Sequence, residues 1–240
     1  LKQSEQLYTG FLNRLRVDLF DAMCLSWSKN GYPPLEDMKT IARMINIMTG
    51  RGGTDIRAVE AALNASAQAF FAPRLSVSRF QWVFGYPFWK SIGKAATGKG
   101  SWRTVGLVGK EYSRYGIGLG LLYFAASLLG IEWEKDPLKS DFMQFRFGKT
   151  RIDPTGGIAP AFVIAARTIT GWKTTQAGNR VRVRAAKDEP IPYGGDNTWD
   201  LWADFARKKL NPVLGALVNR ATGENVVGED RTTWLSVAPD

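Results

Sequence analysis

One long uncharged stretch constrains the fold of this chain more than any other feature. Seventeen residues, Tyr115 to Ile131, separate Arg114 from Glu132 without a charged side chain. A helix of that length spans about 25 Å, whereas the hydrocarbon core of a bilayer is about 30 Å thick. The stretch therefore fits either a membrane-inserting helix or a core helix that is apolar on all sides because other helices surround it. We expect the second arrangement in the stored protein, and later insertion into a membrane is compatible with it.

Glycine is frequent within this stretch. Gly116 and Gly120 form a GxxxG pair, with Gly118 between them. Such spacing lets another helix approach closely, in lipid above all. The residues that we predict to form a helix-packing or membrane-insertion segment are Gly116, Gly120, Leu121, Phe124 and Leu128.

Composition narrows the possible chemistry. The chain is 45% apolar and 22% charged, which permits a core and excludes a polytopic membrane protein. It has no histidine and one cysteine, Cys24. Histidine-based acid–base catalysis, Ser-His-Asp triads, the common zinc sites and an intrachain disulfide are therefore excluded. We predict no catalytic residue, no metal and no cofactor, and we disfavour an enzyme that relies on carboxylates or tyrosine.

Apolar periodicity predicts a mainly α protein. Leu7, Phe11, Leu15, Leu19 and Met23 recur every four residues, which is typical of a helix. Similar patterns predict further helices at about 35–48, 55–71, 74–89, 104–131, 157–170, 197–210 and 212–222. We expect seven to nine helices around a central apolar helix in a single domain, residues 1–240. Because the first residue is Leu rather than Met, we also expect a fragment of a larger chain.

Two segments break the helical pattern. Residues 142–152 alternate apolar and polar side chains around Gly148-Lys149, which predicts one small β-hairpin. Residues 93–103, GKAATGKGSWR, are rich in glycine and lysine and predict a flexible basic loop.

Basic residues outnumber acidic ones by 32 to 22, and the excess favours an acidic partner. In a predicted edge strand at 180–184, alternate arginines lie on one face. Trp102 and Trp172 are placed where they can stack on bases. A solvated surface, or an edge protected from unwanted pairing, explains the same pattern. The candidate contacts to phosphate or lipid headgroups are Lys94, Lys99, Arg103, Lys173, Arg180, Arg182 and Arg184.

Four stretches in succession resemble a known family. They are YTGFLNRLR (8–16), INIMTGRG (45–52), FFAPRLSVSR (70–79) and DFMQFRFGKTRIDPTGG (141–157). Their order, over roughly residues 4–229, resembles a domain of the large polyvalent proteins of phages and mobile elements. The resemblance implies a module of a giant protein that is carried in the virion and delivered with the DNA. In that family the enzymatic activities belong to other domains, and no catalytic residue is carried over.

The resemblance and the apolar stretch lead to one functional expectation. We expect a non-enzymatic module of an internal virion or ejection protein. It would pack against portal, tail or core proteins, self-associate, and aid genome delivery across the host envelope. Its location would be the virion, and then the host envelope or cytoplasm, with DNA and the host membrane as further partners. The alternative is a nucleic-acid-binding module that uses the basic loop and the arginine-rich strand.

Overall fold

The fold is mainly helical. The structure is a computed structural model that describes residues 2–27, 32–67, 69–70, 72–183, 197–211 and 214–218. Those residues contain nine helices and five short strands, and most of them are helical. The helices are α1 Lys2–Trp27, α2 Leu35–Met48, α3 Arg57–Ser66, α4 Pro73–Val83, α5 Tyr86–Ala96, α6 Trp102–Leu128, α7 Ala159–Thr170, α8 Thr198–Arg207 and residues 214–218. The strands are β1 Glu132–Trp133, β2 Phe145–Phe147, β3 Thr150–Ile152, β4 Trp172–Thr174 and β5 Arg180–Arg182.

The chain divides into two compact units. Each unit is assembled from three separate segments of the chain. The first unit comprises Leu1–Gly53, Arg74–Glu134 and Met143–Ala161, and the second comprises Thr54–Pro73, Lys135–Phe142 and Phe162–Asp240.

The core of the first unit forms where α1, α2, α4 and α6 meet. Ile41 and Met44 of α2 and Val108 of α6 are fully buried in it. The Trp82 ring of α4 stacks on Tyr112 of α6, with ring centroids 4.1 Å apart. The Tyr112 hydroxyl donates a hydrogen bond to the Trp82 carbonyl. The first half of α6 is therefore a core helix.

A polar junction joins α2 to the end of α5 and the start of α6. Lys94 Nζ lies 2.9 Å from Glu36 Oε2 and also donates to the Thr40 hydroxyl. Buried Asp37 accepts a hydrogen bond from the Ser101 amide, and the Ser101 side chain caps α6. Because α5 runs to Ala96 and α6 begins at Trp102, the predicted loop at 93–103 is limited to residues 97–101.

A small antiparallel sheet covers one side of the second half of α6. The predicted hairpin is confirmed: Phe145 pairs with Ile152, and Phe147 pairs with Thr150. The sequence did not predict β1, which adds to β2 through the pairing of Trp133 with Phe145. Phe145 packs in a small cluster with Tyr123 of α6.

The second unit holds the other hairpin, β4–β5. The predicted edge strand at 180–184 corresponds to β5, which pairs antiparallel with β4. Arg184 lies outside the described residues. The Leu138 carbonyl accepts hydrogen bonds from the Thr174 amide and from the Arg167 side chain, and so ties β4 to α7.

The mainly α class, the helix number and the small β element are confirmed. The expectation that other helices surround Tyr115–Ile131 is wrong, because most of that stretch is exposed in the described chain. The buried core residues Leu107 and Val108 lie in the half of α6 that precedes this stretch.

We expect the pairing of Glu36 with Lys39 and Lys94 to make stability depend on pH. Hydrogen bonds from Lys39 and Lys94 lower the pKa of Glu36 to about 2, from about 4.3 in an unfolded chain. A lowered carboxyl pKa contributes stability above the unfolded value, and that stability is lost as pH falls toward about 2. We predict that Lys94→Met lowers the melting temperature at pH 7 and that its difference from the wild type shrinks between pH 4.5 and 2. Calorimetry across this range checks it. Lys99→Met, which changes an exposed lysine, is the matched control and should leave the profile unchanged.

Candidate interaction surface on helix α6

The second half of α6, together with the residue that follows it, presents a broad apolar surface, which we call the apolar arc. Its large side chains are exposed to between 42% and 76%. The residues of the apolar arc are Ile117, Leu121, Leu122, Phe124, Leu128 and Leu129. Soluble monomers rarely expose contiguous apolar patches beyond a few hundred Å² unless they bind something there. The apolar arc is therefore the strongest candidate for a functional surface.

One narrow side of the same helix segment is fixed by the sheet. Tyr123 and Ala126 are buried there, and the Tyr123 ring contacts Trp133 and Phe145. The Tyr123 hydroxyl donates a hydrogen bond to the carbonyl of Met143. Burial raises the pKa of Tyr123 to about 12, so the hydroxyl remains a donor at neutral pH. Met143 itself has a φ of 62°, which a residue with a side chain rarely adopts.

The glycines of the stretch face open space. A Cβ atom built at Gly116, Gly118 or Gly120 would meet no heavy atom within 4 Å, apart from the helix's own nearby backbone. The GxxxG pair is therefore not used for packing between the described parts of this chain. Glycine inside a helix costs about 0.5–1 kcal/mol relative to alanine, and no close contact within the described chain offsets that cost.

Charge lies only at the ends of the apolar arc. Arg114 precedes it and forms an ion pair with Glu111, and exposed Glu132 follows it. None of the helices in the described ranges combines the length and apolarity needed to cross a bilayer. The arrangement thus offers a protein or membrane surface an uncharged strip with ionic ends.

The basic residues that the sequence grouped together have different surroundings. Lys94 is held by Glu36 and Thr40 and serves the α2–α5 junction. Lys99 and Arg103 are exposed near the start of α6. The Arg103 guanidinium lies 5.1 Å from the centroid of the Trp27 ring, in cation–π contact.

The β4–β5 hairpin brings an aromatic ring and two arginines to one face. Arg182 is directly opposite Trp172. Arg180, two residues before Arg182 in β5, lies on the same face. All three residues are exposed. Lys173 pairs with Val181 and belongs to the other face. The sequence grouped Lys173 with the arginines because the partner strand β4 could not be predicted.

The apolar pattern that predicted α1 is exposed over the first turns of the helix. Leu7, Phe11 and Leu15 of α1 are all exposed, while Met23 and Cys24 near the end of the same helix are buried. The four-residue spacing predicted the helix, but it cannot tell which turns of the helix have a partner.

No cluster of three or more carboxylate, cysteine or histidine side chains suited to a metal ion occurs among the described residues. Comparison with protein-family models, with curated proteins and with solved structures gives no match.

The open space at Gly120 gives a test of the unpartnered surface. We predict that Gly120→Ala raises the free energy of unfolding of dilute protein by about 0.5–1 kcal/mol, because alanine favours the helix and meets no neighbour. Urea denaturation measures the change. Gly50→Ala is the contrasting control. Gly50 has a φ of +87° and its added Cβ would lie 2.9 Å from Leu75, so this variant should be destabilised. A loss of stability in Gly120→Ala would show that Gly120 already packs against a neighbour.

Proposed function

We propose that this chain is a non-enzymatic structural module of an internal virion or ejection protein of a phage. It packs against other virion proteins, of the portal, tail or core, and aids delivery of the genome across the host envelope. The observation that carries the proposal is the apolar arc of α6. The resemblance to the large polyvalent proteins supplies the biological setting.

The geometry of α6 supports a role in assembly. The first half of the helix is locked in a core by Val108 and by the stacking of Tyr112 on Trp82. The second half is held on one side by the sheet and exposes the rest of its circumference. A protein surface with this character forms the apolar centre of an interface, and the charged ends of the arc supply its polar rim.

The proposal predicts that the chain is present in purified particles of the phage that encodes it. Quantitative mass spectrometry of particles, and of host envelope and cytoplasm after infection, would measure this. A phage carrying Leu121→Glu and Phe124→Glu should incorporate less of the chain, because burying two carboxylates in an apolar interface is unfavourable. Ile169→Glu, at an exposed apolar residue of α7, is the control. Absence of the chain from particles would contradict the proposal.

Nucleic-acid binding is the second candidate, and the face shared by Trp172, Arg180 and Arg182 favours it. An exposed ring beside guanidinium groups can stack on a base while the arginines contact neighbouring phosphates. The chain's net charge of +10 would assist the approach of an anionic strand.

We predict that Arg180→Ala with Arg182→Ala weakens binding to single-stranded DNA and reduces the slope of log K against log salt by about 1.4, or about 0.7 per phosphate contact. Trp172→Ala should weaken binding with little effect on that slope. Fluorescence anisotropy over a salt series measures both changes. Lys173→Ala, on the opposite face of the hairpin, should have a smaller effect on affinity. An unchanged affinity in the double variant would remove this candidate.

A further inference from the structure

We propose that α6 pairs in antiparallel orientation with α6 of a second copy of this chain, through the apolar arc. The inference rests on the proposed function and deepens it, because it names the chain itself as one of the partners of the arc. The argument uses the shape, the charge and the area of the exposed half of the helix.

The exposed helix surface is complementary to itself in shape. At about 100° per residue, four large side chains fall within roughly 60° of each other and form a ridge along the helix. Small residues border the ridge on both sides, so a second copy can place its own ridge beside it, as helices do when ridges pack into grooves. The ridge consists of Ile117, Leu121, Phe124 and Leu128, one border of Gly116, Gly120 and Ser127, and the other of Gly118 and Ala125.

The charges at the two ends set the orientation. Lys110 and Arg114 continue the line of the ridge toward the start of α6 and are exposed. Glu132, just past the end of α6, is also exposed. In an antiparallel pair whose two-fold axis crosses the ridge at the level of residue 123, Arg114 of each copy approaches Glu132 of the other. A parallel pair would place like charges together, which is unfavourable.

The exposed area suits a dimer. A large apolar residue has a surface of about 190 Å², within the range of buried aromatic residues, so the exposed fractions of the apolar arc amount to about 700 Å². A standard interface buries about 800 Å² per partner, and a specific one about 1,000 Å² in total. The four ridge residues contribute about 500 Å² of that area per copy, so covering the ridge in both copies comes close to the lower figure. No charge lies within the arc, so pairing buries none.

The overall charge of +10 per copy opposes pairing at low ionic strength. Salt screens this repulsion and leaves the apolar contact largely unaffected. Self-association should therefore strengthen as salt rises, whereas binding to a nucleic acid weakens. The direction of the salt dependence therefore distinguishes binding of a second copy from binding of an anionic partner.

Sedimentation equilibrium of the 240-residue chain at 0.1 and 0.5 M NaCl tests the pairing. We expect a monomer–dimer equilibrium that is tighter at the higher salt concentration. Leu121→Glu with Phe124→Glu should weaken dimerisation at least tenfold while the circular dichroism spectrum is kept. Ile169→Glu is the control and should dimerise as the wild type does. A wild-type chain that remains monomeric at both salt concentrations overturns the proposal.

Disulfide trapping tests the orientation. In a Cys24→Ala background, Ile117→Cys and Leu128→Cys chains are oxidised separately and as a mixture. Antiparallel pairing predicts a cross-linked dimer in the mixture and little in either chain alone. Cross-linking of Ile117→Cys with itself contradicts the antiparallel arrangement. If the chain floats with vesicles of phosphatidylcholine and phosphatidylglycerol and forms no cross-link, the arc binds lipid and the pairing proposal is overturned.

The two proposals fail in different ways. Sedimentation and trapping use the purified chain alone, so a monomer overturns the pairing and leaves the particle result in place. Absence from particles overturns the virion role and leaves the pairing in place.

Discussion

The packing of the first half of α6 against α2 and α4 is the interaction on which the first unit depends. Val108, Ile41 and Met44 are fully buried together, and the stacked pair of Trp82 and Tyr112 closes one side of the cluster. Because α6 is a continuous helix of 27 residues, about 40 Å long, this core also fixes the direction of its second half. One helix therefore serves as a core element and as a displayed surface.

The two candidate surfaces differ in their physical character. The apolar arc belongs to the first unit, and the proposed contacts there would remove apolar area from water. The face with Trp172 and Arg182 belongs to the second unit, and the proposed contacts there would use stacking and charge. A chain with one uncharged surface and one basic surface can contact a protein partner and a polyanion by separate means. The opposite salt dependences predicted for the two surfaces would allow each contribution to be measured in the presence of the other.

Periodicity predicted most helices because their partners lie on one face. The bounds predicted for α2 are those observed, and the turn at Gly148 correctly indicated the β2–β3 hairpin. Strands of two or three residues, such as β1 and β4, are too short to show alternation. The stretch Tyr115–Ile131 is apolar on every side, so its pattern cannot distinguish a buried helix from an exposed one. Likewise, Lys94 meets Glu36 across 58 positions, a pairing that no local spacing reveals.

The sheet beside α6 has a consequence for how the apolar arc would bind. The hydrogen bond from Tyr123 to the carbonyl of Met143 joins the last turns of the helix to a chain segment in an uncommon backbone conformation. The contacts with the sheet therefore stabilise the end of the helix against fraying. Those turns are ordered when the chain folds. A partner that binds them therefore contacts a preorganised surface and does not bear the entropy cost of ordering the helix end.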